Sequence, residues 1–248
     1  MKAKPCLYVD LPLTAYREAW ELQQAIVNAK QEGVLANDVI LLLEHPPVYT
    51  LGRRGGIENL CVPRERLARE GIDVVHIERG GDITYHGPGQ LVAYPLLNIR
   101  RARLGVTDLV TLLEAVMINT AGNFNVQAER NPMNRGVWVD RAKLGSIGIA
   151  VRKEISFHGM ALNINLDLTH FSWINPCGLK DVGMTSLKEV SGKTIDMQAA
   201  RQALRENMQT VLGLTFKPTA PETLVDLLHG DPEDSGGRSS VVSGRWSE

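Results

Sequence analysis

The chain is organised around a glycine-rich segment that reads Arg79-Gly80-Gly81-Asp82-Ile83-Thr84-Tyr85-His86-Gly87-Pro88-Gly89-Gln90. An apolar, strand-like run at residues 91–97 follows it directly. Glycine has no Cβ, so the backbone here can come close to a ligand and can adopt positive φ angles. We expect a loop between strands that holds a polar group of a ligand at a sheet edge. A tight turn with incidental polar residues is the alternative, although Arg79, Tyr85 and His86 together exceed what a turn requires.

The composition is that of an ordinary globular protein. Of 248 residues, 44% are hydrophobic and 22% are charged, and the formal net charge is −1. A charge near zero gives no support to binding of nucleic acid or of an anionic membrane. The aliphatic run at 39–43 is too short to span a bilayer, and no apolar signal core opens the chain. The three cysteines, Cys6, Cys61 and Cys177, form no CxxC pair. We therefore expect a cytoplasmic, reduced protein without a metal site.

Apolar periodicity predicts alternating helices and strands. Thr14 is expected to cap a helix that runs to about Glu32, and Asp196 to cap another that ends before Gly213. Further helices are predicted at 63–70, 107–122 and 221–228. Strands are predicted at 6–11, 38–44, 48–52, 72–77, 136–139, 143–152 and 155–165, and the continuous apolar run at 38–44 indicates burial on both faces. The pattern predicts an α+β fold with mixed β-sheets packed by helices, in one domain at 1–229 followed by a flexible tail at 230–248.

Two residues offer reactive side chains. Cys177 lies in the loop Asn175-Pro176-Cys177-Gly178, where it is either exposed at a cleft as a nucleophile or simply a small buried residue. Lys143 begins a strand next to glycine and apolar residues, so it is either a partly desolvated base or a solvated strand end. His86 and His158 each precede a glycine and fit a base, a ligand or a core histidine. The residues alone thus indicate cysteine-centred acyl chemistry shaped by a glycine-rich loop.

Five segments together resemble the lipoyl(octanoyl) transferases, also called octanoyl-acyl-carrier-protein:protein N-octanoyltransferases. They are residues 79–90, 136–139, 143 with 146–148, 157–163 and 175–178. They occur in the family's order and extend over roughly residues 8–214. The glycine-rich segment and the Pro-Cys-Gly motif are highly specific as a pair. Leu144-Gly145 departs from the Ile-Ala or Ile-Cys expected after the lysine, which weakens that strand without threatening the assignment.

The resemblance implies a fold like the catalytic domain shared by biotin and lipoate protein ligases. It implies transfer of an octanoyl group from the phosphopantetheine thioester of octanoyl-acyl carrier protein to a lysine ε-amine. The implied acceptors are the lipoyl domains of 2-oxoacid dehydrogenase complexes and the glycine-cleavage H protein, in the first step of endogenous protein lipoylation and lipoate biosynthesis. No cofactor is implied, and no ATP either, because conversion of a thioester to an amide is downhill.

The resemblance also assigns roles by motif position. Cys177 corresponds to the nucleophile that forms the acyl-thioester intermediate, and Lys143 corresponds to its partner. The implied substrate-binding residues are Arg79, Gly80, Gly81, Asp82, Ile83, Thr84, Tyr85, His86, Ser146, Ile147, Gly148, His158, Gly159 and Met160. A blocked tunnel for the acyl chain is expected among the apolar residues of 85–97 and Met160, because chain burial alone discriminates weakly between lengths.

Three other functions compete with this one. An ATP-dependent lipoate or biotin ligase on the same fold would leave Cys177 without a role. An amidotransferase would move octanoyl groups between carrier proteins. A non-catalytic protein would only bind acyl carrier or lipoyl domains and would need no nucleophile. ATP dependence, donor choice and loss of turnover in Cys177→Ala separate these functions.

Overall fold

The computed structural model describes residues 4–132, 134–175 and 183–229, whose strands form two sheets. Cys177 and the predicted tail at 230–248 lie outside the described residues.

The strands are β1 Lys4–Leu13, β2 Asp38–Glu44, β3 Val48–Leu51, β4 Asp73–His76, β5 Ile83–His86, β6 Gln90–Leu96, β7 Glu129–Arg130, β8 Val137–Val139, β9 Ala142–Arg152, β10 Ile155–Asn163, β11 Gly183–Met184 and β12 Leu214–Pro218. The helices are α1 Tyr16–Glu32, α2 Arg64–Glu70, α3 Ile99–Ala102, α4 Val106–Gly122, α5 Leu187–Ser191, α6 Met197–Leu212 and α7 Pro221–His229, and short 3₁₀ helices span Ile57–Asn59 and Thr169–Trp173. The predicted α+β class, mixed sheets packed by helices, is confirmed.

The larger sheet is mixed. Its strand order is β12-β1-β2-β6-β10-β9-β8-β7, and β11 pairs with β9 outside this path. β1 runs parallel to β2 and β12, whereas β2, β6, β10, β9 and β8 follow one another in antiparallel pairs. Lys153 and Glu154 connect β9 to β10, and both have positive φ. A two-residue turn of this kind matches the twist of the strands, so it sets the register of the pair.

The central strand β2 is buried on both faces, as its continuous apolar run predicted. Val39, Leu41 and Leu43 pack with α1 and with Leu224 of α7. On the opposite face, Ile40 and Leu42 pack in a cluster with α4 and α6. Alternation along a strand sends successive side chains to opposite faces. The sheet is therefore the middle layer between two pairs of helices.

The smaller sheet has the order β4-β3-β5 and contains part of the glycine-rich segment. We expected that segment to be a loop, but residues Ile83–His86 form β5, which pairs antiparallel with β3. Loop conformation is confined to the flanks, at 79–82 and 87–89. The residue types explain the strand: the β-branched Ile83 and the aromatic Tyr85 and His86 favour extended backbone, and all three are buried.

The helix ends follow the sequence in α6 but not in α1. The Asp196 carboxylate accepts a hydrogen bond from Gln198 N at 3.0 Å, and Gly213 ends α6 with a φ of +63°. The predicted cap at Thr14 is wrong, because its hydroxyl donates to Pro12 O at 2.8 Å and α1 begins after Ala15. Among residues 4–132, 134–175 and 183–229, no helix has both the length and the apolar character needed to cross a membrane.

Gly159 of β10 gives a direct test of this architecture. An added Cβ there would clash with the carbonyl oxygen of Ala93 in β6 and lie 2.7 Å from Pro95 Cδ. Gly159→Ala should therefore lower the free energy of unfolding by about 1–3 kcal/mol, the usual cost of overpacking. Urea denaturation measures this change.

The matched control is Gly122→Ala at the end of α4, where an added Cβ would meet nothing within 4 Å. That variant should be neutral or slightly stabilising, because alanine favours helix. Equal stability of the two variants would contradict the packing of β10 on β6.

Candidate active site

A cavity of about 710 Å³, including its open mouth, is walled by both sheets. Its lining comes from α1, the glycine-rich segment, β6, β9, β10, β11, the 3₁₀ helix Thr169–Trp173 and the connection between β7 and β8. The lining residues are Tyr16, Arg79, Gly81, Asp82, Ile83, Thr84, His86, Val92, Tyr94, Asn134, Lys143, Ser146, Ile147, Gly148, His158, Gly159, Met160, Ala161, Phe171 and Met184. Apolar side chains mixed with a few polar groups are typical of small-molecule pockets.

Arg79 fastens the glycine-rich segment to the smaller sheet. Its guanidinium is 7% exposed and donates to Thr50 O at 2.6 Å and to Thr50 Oγ1 at 2.8 Å. On the other side, Gly80 N donates to Ile149 O of β9 at 3.0 Å. The segment therefore bridges the two sheets. An arginine suits this task because its planar fork keeps several donors in fixed directions.

Two buried histidines lie beneath the cavity. His45 is fully buried, with Nδ1 at 2.7 Å from Thr14 O and Nε2 at 2.7 Å from Tyr94 Oη. A carbonyl only accepts, so Nδ1 carries the proton and Nε2 accepts from the tyrosine. Burial lowers the pKa of His45 to about 4. Burial, with the neighbouring His45 and Arg79, also lowers the pKa of His86 well below its ordinary value. Both rings are therefore neutral near pH 7.

His158 has an unusual backbone. Its φ is +55°, and its N–H donates to Gln23 Oε1 of α1 at 2.7 Å. Positive φ at a residue other than glycine is strained, and such strain is typical of functional sites. The ring Nε2 lies 3.6 Å from a Glu78 oxygen, and contact with this ring, helped by Trp20, lowers the pKa of the Glu78 carboxyl to about 2. Burial lowers the pKa of His158 itself.

Lys143 contributes an amine to the cavity wall. It is the second residue of β9 and is 6% exposed. Its Nζ donates to Asn134 Oδ1 at 3.0 Å and lies 5.5 Å from the centre of the Trp138 ring. The neighbouring strand β11 pairs Met184 with Lys143, which brings Met184 into the same wall. The lysine is thus held between a polar and an aromatic neighbour at the cavity.

Most residues that the resemblance implied do meet in this cavity. Of that set, Gly80 and Tyr85 lie behind the wall: Gly80 is bonded to β9, and Tyr85 is buried in a separate apolar cluster, stacked on His170 at 4.8 Å. Direct contact between the Tyr85 side chain and a substrate is therefore not supported. Cys177 lies outside the described residues. Within the described part of the chain, no three His, Cys, Asp or Glu side chains converge as a metal ion requires.

Several site residues escaped sequence reasoning. Tyr16, Tyr94 and Asn134 line the cavity, and His45 supports its floor. Tyr94 falls inside the apolar, strand-like run at 91–97, where nothing local marks it as a site residue. Asn134 precedes the Gly136-Val137-Trp138 motif by two residues, and that spacing was the available signal. The rest depend on long-range packing that no local pattern reports.

The buried histidines predict a specific pH dependence of stability. The pKa of His45 is about 4 in the folded protein and about 6.5 in the unfolded chain. Below pH 6.5 the unfolded chain binds a proton that the folded protein refuses, so the free energy of unfolding falls as the pH falls. His45 alone should account for about 2 kcal/mol by pH 5.

His45→Gln keeps a neutral side chain with a donor and an acceptor but removes this titration. Urea denaturation at pH 7.5 and pH 5 should show a smaller loss of stability for the variant than for the unchanged protein. The same loss in both proteins would show that His45 is not the group responsible.

Comparisons with known proteins identify a family for this chain. The model of the lipoyl protein ligase A/B catalytic domain matches residues 15–209. The octanoyltransferase of Desulfotalea psychrophila is 50% identical over 223 residues, covering 89% of this chain and 97% of the relative. The octanoyltransferase of Caldicellulosiruptor saccharolyticus is 39% identical, covering 95% and 99%. That of Bacteroides fragilis is 43% identical, covering 82% and 96%.

Solved structures share the fold at low sequence identity. A bipartite lipoate protein ligase from Thermoplasma acidophilum, whose structural report includes its E2 lipoyl domain, matches with a TM-score of 0.72 at 15% identity, over 91% of each chain. A lipoate-protein ligase A bound with ATP matches with a TM-score of 0.72 at 15% identity, over 92% of this chain and 93% of the other. The family match and the full-length relatives together carry the assignment: the chain belongs to the octanoyltransferases of the lipoyl protein ligase A/B catalytic-domain family, and it is an acyltransferase.

Proposed function

We propose that this protein transfers an octanoyl group from octanoyl-acyl carrier protein to the lysine of a lipoyl domain through a thioester on Cys177. The observation that carries the proposal is a buried lysine, Lys143, in the wall of a cavity lined largely by apolar side chains. The names of the relatives support the octanoyl group, and the Thermoplasma ligase with its E2 lipoyl domain supports that class of acceptor.

The chain around Cys177 supports its assignment as the nucleophile. Phe171 before the segment 176–182 and Met184 after it both line the cavity. Asn175 N donates to Asn59 O at 2.8 Å, and Thr185 N donates to Lys143 O at 3.0 Å. The described residues on either side of the segment that contains Cys177 are therefore fixed near the cavity, and Thr185 is bonded to the backbone of Lys143 itself.

The proposed reaction balances without ATP. The Cys177 thiol gives its proton to Lys143, and the thiolate attacks the donor carbonyl. A carbon–sulfur bond forms to Cys177 as the bond to the carrier sulfur breaks, and the leaving thiolate takes the proton from Lys143. The acceptor amine then attacks the acyl group and passes a proton to Lys143. The carbon–nitrogen bond forms, Cys177 leaves as a thiolate, and Lys143 returns the proton to it.

The cavity also fits the acyl chain. Val92, Met160 and Ala161 supply apolar wall, and each methylene buried there contributes about 0.8 kcal/mol. Two methylenes thus change affinity by only about tenfold, so length selection requires a closed end. Tyr16 and Tyr94 form a polar part of the wall, and their hydroxyls contact His158 and His45 respectively. An alkyl chain that extended this far would have to desolvate these hydroxyls.

The covalent intermediate is tested by intact mass. Mixing the protein with octanoyl-acyl carrier protein in the absence of ATP should add one octanoyl group that hydroxylamine removes. Cys177→Ser should not form this labile adduct, and Cys61→Ser, which removes an exposed cysteine, should form it normally. An adduct or an octanoyl-lysine product that appears only with ATP would replace this proposal with a ligase. An octanoyl-lysine product from Cys177→Ala at the normal rate would exclude the cysteine intermediate.

The role of Lys143 is tested by the reactivity of Cys177. In Lys143→Ala the thiol loses its nearby base, so its alkylation at pH 7 should slow by about tenfold and its pH profile should move upward. Mass spectrometry of the Cys177 peptide after iodoacetamide treatment measures the rate. Lys217→Ala, which removes an exposed lysine on the edge strand β12, is the matched control. An unchanged alkylation profile in Lys143→Ala would reject Lys143 as the activating group.

A further inference from the structure

A buried carboxylate lies outside the cavity but close to Lys143. Glu114 of α4 is 1% exposed, although its helix contributes mainly apolar side chains to the core. Its Oε1 accepts from Gly136 N at 3.1 Å, and its Oε2 accepts from Arg130 Nε at 3.2 Å and from Arg135 Nη1 at 3.3 Å. A buried charge is costly unless it is well paired, so this arrangement calls for an explanation.

The three donors mark the two ends of one connection. Arg130 ends β7, whereas Arg135 and Gly136 immediately precede β8. One carboxylate therefore binds both ends of the connection 131–136. Arg130 Nη2 adds a hydrogen bond to Thr111 O at 3.1 Å, which ties the same end to α4 a second time.

This connection is what contacts Lys143. Asn134 Oδ1 accepts from Lys143 Nζ at 3.0 Å, and Asn134 O accepts from Trp138 Nε1 at 3.1 Å. Gly136 packs directly on the lysine, because an added Cβ there would lie 2.7 Å from Lys143 Cε. The amine and the stem of Lys143 are thus both positioned by residues that Glu114 holds in place.

We propose that Glu114 is a positioning residue for Lys143, which acts by fixing the connection 131–136 that holds the lysine against the cavity. Glu114 itself touches neither the cavity nor the lysine in the contacts described. The inference rests on the proposed role of Lys143 in activating Cys177. A displacement of about 1 Å in a reacting group can cost about a hundredfold in rate, so the fixation of a flexible lysine has a measurable consequence.

The competing explanation is a structural ion pair with no link to catalysis, and the chain contains a matched control for it. Asp38 at the start of β2 is 5% exposed and accepts from Lys30 Nζ at 2.9 Å, from Arg101 Nη2 at 2.9 Å and from Asn98 N at 3.0 Å. It therefore also binds two cations and one backbone N–H, but it has no contact with the cavity lining.

The test compares Glu114→Gln with Asp38→Asn in the full chain. Glu114→Gln should lower kcat for octanoyl transfer by about 10- to 100-fold with the KM for octanoyl-acyl carrier protein within about twofold, and it should move the alkylation profile of Cys177 upward. Asp38→Asn should change neither quantity, even where it lowers the melting temperature. Equal effects of the two variants on kcat and on the alkylation profile would overturn the inference.

A double-mutant cycle gives the sharper readout. Because Glu114 acts through Lys143, Glu114→Gln should add no further slowing of Cys177 alkylation when Lys143→Ala is already present. Additive slowing would overturn the inference. If Lys143→Ala alone leaves alkylation unchanged, the proposed function of Lys143 fails; if Lys143→Ala slows it and Glu114→Gln does not, only the positioning role fails. If Glu114→Gln does not fold, Arg135→Gln replaces it in the test. Arg135 is half exposed, and its substitution removes one of the hydrogen bonds that Glu114 accepts from the ends of the connection 131–136.

Discussion

The cavity depends on the insertion of the Arg79–Gly81 backbone between the two sheets. A Cβ at Gly148 of the larger sheet would lie 2.8 Å from Gly80 O, and a Cβ at Gly52 beside the smaller sheet would lie 2.6 Å from Gly81 O. Glycine on both sides therefore allows an approach that a side chain would prevent. Arg79 then fills the space and holds Thr50, so the same contact that joins the sheets also builds one wall of the cavity.

The floor of the cavity is uncharged because its two histidines are buried. His45 and His86 are desolvated and uncharged near pH 7. Their four ring nitrogens have partners in Thr14, Tyr94, Gln90 and Thr50. A charged floor would oppose entry of an alkyl chain, whereas neutral rings with internal partners do so far less. The wall also holds the guanidinium of Arg79, which is bound to the smaller sheet, and the amine of Lys143. The described lining thus combines neutral histidine rings with the Arg79 guanidinium and the Lys143 amine.

The sequence allowed prediction of what depends on local patterns. The doubly buried strand β2, the helix α6 with its Asp196 cap, and the strands β9 and β10 were readable from periodicity or capping signals. Misassigned features depend on tertiary context. Thr14 is bonded to the end of β2, since its N–H donates to Glu44 O at 3.0 Å, and Ile83–His86 forms a strand because β3 is available to pair with it. Asn134 and Glu114 were missed for the same reason, since nothing local distinguishes a buried glutamate on an amphipathic helix from a solvated one.

The position of Lys143 connects two of the motifs that lie close together in the sequence, residues 136–139 and Lys143 with 146–148. A lysine side chain has four rotatable bonds, so its strand fixes only its origin and not its amine. The fixing groups come from the Gly136-Val137-Trp138 motif and from Asn134 before it. Gly136 has a φ of +121° and packs on Lys143 Cε, and both facts favour glycine at that position. This motif therefore forms a strand and also holds the lysine in place. Its Gly136 N–H donates to Glu114 of α4, so the placement of the amine depends on the packing of that helix in the core.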